Sequence, residues 1–555
     1  MHNKFDRAKP LAKQADLLRY RPQRRRIDSR EKTNKRGSGL LNGAESLVRT
    51  LLQNGVEVCF ANPGTSEMHF VSALDRIDGM RCVLSLFEGG VTGAADGYGR
   101  MTGKPAATLL HLGPGLANGA ANLHNAKRAF TPIVNIVGEH ATYHRDSGAP
   151  LCSDIEGLAK TVSKWVRTTE TADRLAADCE EAIAVAQAAP GGVATLILPA
   201  DTAWTETNAA IPSAGATHET SKVSDDAIAA AADVLRQAGP TLLLIGGDAL
   251  TPENRQIAAA IAQAADADIL APTSNGRIDR GAGTVPIERV PYPIGIALDR
   301  LSKYRNAILI GADAPVAFFA YPDKPCRLLP EDCRTVTLAS LDQDCGDALA
   351  RLSDALSAPK SVSVPILAVP PLPQDGPITP EAIGAIIGNL IPEGCIVCDE
   401  SITTGRNFFA STHGAAPHSW LHITGGAIGI GIPMATGAAV ACPDRRVLGL
   451  QADGSALYTV QSLWTQARER LNVLTLIFSN RSYAILKGEL ANVGANGGPT
   501  AMGMLSLDNP AMDWVQIARG FGVDGTRVDS TATLIAAIRH GFSVSGPYLI
   551  EVDLT

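Results

Sequence analysis

Short apolar runs that each stop at a glycine or an acidic turn constrain this chain more than any other feature. VEVCFANPG, RCVLSLFEGG, PAATLLHLGPG, TPIVNIVGE and GVATLILPAD follow one another between residues 56 and 201. Helical stretches rich in small residues, such as VTGAADGYGRMTG, separate them. A run that is apolar on both faces must be covered on both faces, and the intervening helices supply the cover. The pattern therefore specifies parallel sheets in doubly wound α/β domains.

One hydrophobic core stops growing near ~250–300 residues, so 555 residues must divide. The first set of runs fills 39–205. After a polar linker a second set fills 223–356, with helices expected at 225–237 and 252–265 and a Gly246-Gly247 turn after TLLLI. A Pro- and Ser-rich linker, 357–377, precedes a third set at 378–555, which holds CIVCDES, RRVLGLQADGS, NVLTLIFSN and PYLIEVDL. Three doubly wound parallel-sheet domains are expected.

Residues 1–38 differ, with thirteen Lys/Arg against four Asp/Glu and poor periodicity. They read as a disordered basic extension, with a targeting peptide or an arm for an anionic partner as alternatives. The whole chain has net charge −7, so the body lacks a basic footprint and a nucleic-acid partner is not expected. Ile423–Pro443 is uncharged, but its five glycines and two prolines argue against a membrane span. No apolar secretory core opens the chain. The ten cysteines are scattered without zinc spacing, so a reducing, cytoplasmic location is expected. Cys395-x-x-Cys398 reads as two small core residues, with a redox pair as the alternative.

The chemistry concentrates in the third set. VLGLQ ends in Ala452-Asp453-Gly454-Ser455, and LTLIFS ends in Asn480-Arg481-Ser482. Ligands of open parallel sheets bind beyond the carboxyl ends of strands, so Asp453 and Asn480, 27 residues apart, face one crevice. A carboxylate and an amide oxygen there suit a hard cation such as Mg²⁺. Gly454 lets backbone approach a phosphate, and a helix starting at Ser455 would offer free N–H groups.

Asp-Gly followed 27 residues later by Asn resembles the thiamine-diphosphate (ThDP) motif of the acetolactate synthase, benzoylformate decarboxylase and pyruvate decarboxylase superfamily. The resemblance extends over 39–555 through ESITTGRNFF, TGGAIGIGIP, FANPGTSE, FEGGVTGAADGYGRMTGKP and HLGPGLANGAANLHNAKRAFTPIV. It implies pyrimidine-binding, central and diphosphate-binding domains in turn.

The resemblance further implies residue roles. Asp453, Asn480 and the carbonyl of Ser482 would bind Mg²⁺. Gly454, Ser455, Thr403 and Tyr483 would hold the diphosphate or thiazolium. Ile428 would wedge the cofactor into its bent form, and the carbonyl of Gly426 would accept from the pyrimidine amine. Glu88 would share a proton with the pyrimidine ring, and its burial among LSLF residues is expected to keep that proton available. His111 matches a proton-relay histidine, a structural histidine being the alternative, and Asn118 and Thr65 fall at neighbouring pocket positions.

The substrate implied is a 2-oxo acid, decarboxylated or ligated, in a homodimer or homotetramer with active sites between subunits. A simple benzoylformate-type decarboxylase, an FAD-dependent oxidase and a silent ThDP-binding paralogue are the alternatives. Some relatives hold FAD in the central domain, but Gly246-Gly247 also serves tight packing, and an empty domain is the expectation. Four features depart from the pattern: Ala452 stands for a glycine, Ser479 for an asparagine, YAILKGEL for the expected Trp- and Gln-bearing stretch, and LFEGG lacks the glutamine that commonly follows the catalytic glutamate. The first two spare the cofactor ligands; the last two leave substrate identity and acetolactate formation open.

Overall fold

Every apolar run of the first set becomes a strand. Val58–Asn62 (β1), Arg81–Leu84 (β2), Ala106–Leu110 (β3), Ile133–Glu139 (β4), Trp165–Thr168 (β5) and Val193–Pro199 (β6) form one sheet. Its order is β2-β1-β3-β4-β6-β5, and every pairing is parallel. The computed structural model describes residues 41–212 and 220–555; the basic extension at 1–38 lies outside them.

In the central segment, Thr241–Ile245 (β7), Asp268–Ala271 (β8), Arg277–Arg280 (β9), Glu288–Arg289 (β10), Asn306–Ile310 (β11) and Arg334–Ala339 (β12) follow. Five of them form a parallel sheet in the order β10-β8-β7-β11-β12. The helices expected at 225–237 and 252–265 are present as Asp225–Arg236 and Pro252–Ala265.

Strand β9 leaves this sheet and joins the third, pairing antiparallel with His418–His422. The third sheet contains Ile396–Glu400 (β13), His418–His422 (β14), Val447–Ala452 (β15), Val473–Ser479 (β16), Asp524–Val528 (β17) and Tyr548–Asp553 (β18). Its order is β9-β14-β13-β15-β16-β18-β17, parallel except at β9. Among the described residues, no helix is long and apolar enough to cross a membrane.

Two helices join the first and third sheets. Glu88–Thr102 (α1) is buried along nearly its whole length, as is Gly431–Ala441 (α3), while Leu112–Arg128 (α2) lies beside α1. Glycines let the backbones of α1 and α3 touch. A Cβ on Gly97 would meet the carbonyl oxygen of Met434 at 2.1 Å, and one on Gly437 would meet that of Ala94 at 1.8 Å. Val91, Ala94, Met434, Ala435 and Ala438 share one core. Arg100 of α1 pairs with buried Asp96 at 2.5 Å and donates to the carbonyls of His422 and Gly276, tying all three segments together.

Cys395 and Cys398 are fully buried and belong to different cores on opposite sides of the third sheet. Alternation along a strand puts residues three apart on opposite faces, so the two thiols cannot pair. Burial pushes the Cys395 thiol up to about 12.

Candidate active site

Three adjacent strands of the third sheet end at one place. Glu400 is in register with Gln451, and Ala452 with Phe478, so the residues after β13, β15 and β16 lie side by side. These are Thr403, the Asp453–Ser455 turn and Asn480–Tyr483. Asp453 is 1% exposed; its Oδ1 accepts from the Gly454 N–H at 2.9 Å and its Oδ2 from the Arg481 N–H at 2.7 Å. Burial raises its pKa, and the groups that lower it are backbone donors rather than a cationic side chain. The Asn480 Oδ1 accepts from the Ser482 N–H at 3.0 Å.

A buried carboxylate next to an amide oxygen and a backbone carbonyl is an all-oxygen donor set, which fits Mg²⁺. Among the described residues, no group of three or more His, Cys, Asp or Glu could hold a metal. A cation at Asp453 therefore needs further oxygen donors, such as phosphate and water. The Tyr483 ring packs against Gly454, where a Cβ would meet it at 2.6 Å, so a larger residue there would have to displace Tyr483.

The helix expected from Ser455 is a single turn, Asp453–Ala456, and the next helix is Ser462–Glu469 (α4). The chain between them turns toward the glycine loop. There the Thr459 Oγ1 donates to the Gly429 carbonyl at 2.7 Å, and a Cβ on Gly429 would meet Tyr458 at 2.5 Å.

The glycine loop carries Gly426 and Ile428 and leads into α3. Gly426 and Gly429 have φ of +76° and +97°, the left-handed region that favours glycine. Two anchors that the sequence reading missed hold it. Glu400, fully buried, accepts from the N–H groups of Gly429 and Gly431 at 2.7 Å each, and from the Gln451 Nε2 at 2.8 Å. The same Nε2 reaches the Ser455 hydroxyl at 2.7 Å, so loop and diphosphate-side turn share one network. From α2, the Asn125 Oδ1 accepts from the Gly425 and Ala427 N–H groups, while its Nδ2 donates to the Ala427 carbonyl.

The first sheet gathers the other predicted residues. Strands β2 and β3 flank β1, and Asn62 is in register with Leu110, so the residues after these strand ends converge. The Asn118 Nδ2 donates to the Glu88 Oε2 at 3.0 Å. A Cβ on Gly115 would lie 3.3 Å from the Glu88 Oε1 and 3.5 Å from the His111 Cβ, so Glu88 and His111 flank one turn of α2. Glu88 is only partly buried, not buried as expected, and neighbouring Leu86 is itself 44% exposed in the single chain. Exposed Thr65 opens the turn Thr65–Glu67, whose Glu67 is fully buried and meets His111. The two clusters touch through Asn122, whose Nδ2 is 2.8 Å from the Gly89 carbonyl and 3.4 Å from that of Gly429.

A cleft of about 1280 Å³ lies between the first and central segments, at the ends of β7, β8 and β11, where the strand order reverses. Close packing accounts for its glycines. A Cβ on Gly246 would meet the Gly311 carbonyl at 2.5 Å, and Gly311 has φ of +59°. Nothing in this pair singles out FAD.

This convergence of strand ends defines an enzyme built on two ThDP-binding domains. The thiamine pyrophosphate enzyme N-terminal TPP binding domain matches residues 41–158, and the C-terminal TPP binding domain matches residues 404–552. The chain belongs to the thiamine pyrophosphate enzyme family.

"Putative acetolactate synthase large subunit IlvX" of Mycobacterium tuberculosis is 48% identical over 514 residues, which cover 92% of this chain and 99% of that one. A benzoylformate decarboxylase of Pseudomonas aeruginosa is 29% identical, over 90% of this chain and 97% of its own. The solved ThDP-dependent 4-hydroxybenzoylformate decarboxylase of Rhodococcus jostii RHA1 superposes with a TM-score of 0.81 at 25% identity, over 92% of this chain and 99% of that one.

Proposed function

We propose that this chain is a ThDP- and Mg²⁺-dependent enzyme that decarboxylates a 2-oxo acid and protonates the product carbon, working as a homodimer or homotetramer. The observation that carries this reading is the placement of Glu88 and His111 on either side of one turn of α2, beside the glycine loop. A carboxyl and an imidazole there provide two separate proton carriers. Ligation to a second carbonyl, as the name of the Mycobacterium relative suggests, is the competing outcome.

The side chains of Asp453 and Asn480 and the carbonyl of Ser482 would hold Mg²⁺. Gly454, Ser455, Thr403 and Tyr483 would surround the diphosphate and thiazolium, with Ile428 and the Gly426 carbonyl against the pyrimidine. ThDP, when bound, supplies a carbon nucleophile and an electron sink for loss of CO₂. Glu88 holds a proton at its carboxyl for the pyrimidine ring, with Asn118 fixing the Oε2. His111 turns its Nε2 to the substrate side and exchanges a proton there, with Thr65 and Asn118 at the rim. Leu86, Leu457 and Tyr458, all exposed in the single chain, would be covered by a second subunit.

The test is CO₂ release with ThDP and Mg²⁺ from pyruvate, 2-oxobutyrate, branched 2-oxo acids and benzoylformate, with product identification. A free aldehyde from one of them, absent without ThDP, supports the reading. An acetolactate-type product replaces protonation by ligation, and no release from any of them overturns the reading.

A further inference from the structure

Glu67 lies outside every role assigned above, yet it is among the most completely buried charged side chains of the described residues, at 0% exposure. It ends the short turn after β1, and its Oε2 lies 2.9 Å from the His111 Nδ1, 44 residues away. The same Oε2 accepts from the Gly64 N–H at 2.7 Å. Its Oε1 is buried without a hydrogen-bond partner.

The surroundings are shaped for this pair. A Cβ on Gly138 would sit 1.5 Å from the Glu67 Oε1, and one on Gly64 would sit 2.2 Å from the His111 Nδ1. Glycines on two different elements thus clear the space in which carboxylate and imidazole meet. The side chain of His111 stays 24% exposed while Glu67 is sealed. The protein therefore presents one ring nitrogen to the open side and buries the other.

We propose that Glu67 is a positioning residue for His111: it fixes the imidazole with Nδ1–H toward the carboxylate, so that Nε2 is the atom that takes up and releases the proton. The proposal rests on the decarboxylase reading for what the proton is used for, but not for the pairing itself. A backbone N–H donating to the Oε2 favours the carboxylate form there, and a carboxylate accepts from Nδ1–H rather than donating to it. When Nε2 gains a proton, the imidazolium faces a negative charge at hydrogen-bond distance and is stabilised. When the proton leaves, neutral imidazole keeps the same orientation. Burial raises the Glu67 pKa on balance, and the contacts with Gly64 and His111 offset only part of that rise. The other charged groups nearby are Glu88, across Gly115, and Glu139, which follows Gly138 and accepts from the His140 N–H.

The test is a ¹⁵N NMR titration of the full-length protein labelled at histidine, with the His111 signals assigned by their loss in His111→Gln. At pH above the titration, wild type is expected to show a protonated Nδ1 and a bare Nε2; the opposite tautomer overturns the proposal. Glu67→Gln keeps an acceptor oxygen but removes the charge and adds an amide donor, so the preference of His111 for a protonated Nδ1 is expected to weaken and the Nε2–H tautomer to appear. An unchanged tautomer in this variant also overturns it.

Should Glu67→Gln not fold, the wild-type tautomer alone decides. In turnover, Glu67→Gln is expected to lower kcat more than it raises KM and to displace the pH–rate limb. In a His111→Gln background it should have no further effect, and an additive loss contradicts action through His111. If wild type turns over no 2-oxo acid, the functional reading fails while the NMR result still decides the pairing.

Discussion

Glu400 and Gln451 stand in register on neighbouring strands, and their side chains meet at 2.8 Å beneath the glycine loop. Through this one contact the loop proposed to face the pyrimidine and the turn proposed to face the diphosphate become parts of the same rigid unit. Each buried N–H left without an acceptor costs about 1–3 kcal/mol. Glu400→Ala, which strands the N–H groups of Gly429 and Gly431, is therefore expected to lower unfolding stability by about 3 kcal/mol. It should also weaken ThDP binding. Urea unfolding of the cofactor-free protein and a ThDP titration check both.

Glu88 touches Asn118 and leaves room for an amide of the same shape. Glu88→Gln is expected to leave the melting temperature unchanged and to reduce turnover about 10²–10⁴-fold, the range for loss of a positioned acid–base group. CO₂ release and thermal unfolding measured on the same preparation provide the check, and near-wild-type turnover would remove Glu88 from the site.

Asp453 accepts two backbone N–H groups, and asparagine can keep only one oxygen there. Asp453→Asn is expected to weaken Mg²⁺-dependent ThDP binding at least about 10–100-fold, the loss typical even of outer partners of a metal. Chelation of wild type with EDTA should produce the same loss. Quenching of intrinsic fluorescence by ThDP, with and without Mg²⁺, follows both.

His418 is buried in β14, and its Nδ1 lies 2.7 Å from the Ala416 carbonyl. Burial lowers its pKa to about 4, and the same cause lowers nearby His413 to about 4. Each is neutral when folded but takes up a proton near pH ~6.5 when unfolded. Their contribution is fully present above pH ~6.5 and is lost as pH falls toward about 4. For His418 the loss amounts to about 3 kcal/mol. His418→Asn retains a donor for Ala416 and should show less stability loss than wild type between pH 7 and pH 4. Urea unfolding across that range measures the difference.

Glu489, on the helix Ala484–Asn492 (α5), is held by the hydroxyls of Tyr321 at 2.8 Å and Tyr292 at 3.4 Å, both from the central segment. Tyr321→Phe is expected to cost about 1 kcal/mol and to raise amide hydrogen exchange along α5. Hydrogen-exchange mass spectrometry over residues 484–492 reads it directly.

What the sequence made visible follows from where each signal resides. Asp453 and Asn480 close long apolar runs, and a strand end in a parallel sheet is itself a positional statement. Glu88, His111 and Thr65 follow strand ends too, but their roles came only from the resemblance to the ThDP superfamily. Glu67, Glu400 and Asn125 were missed because their partners are remote: 44 residues separate Glu67 from His111, and 300 separate Asn125 from Gly425. No local period encodes such pairs. The strand Arg277–Arg280 reads RIDR, whose charge hides it from any search for apolar runs. Buried Trp420 and Leu421 are flanked by His418, Ser419 and His422 in HSWLH, which concealed β14 in the same way.

That RIDR strand also limits how the chain can be divided. The central segment supplies an outer member of a sheet it does not otherwise belong to, so a fragment starting at residue 378 would expose the bare edge of His418–His422. Such edges invite pairing between copies. A graft exchanging the central portion between relatives would have to carry its own matching ribbon. Recombination that cut on either side of residues 277–280 without regard for it would yield aggregates rather than chimaeras.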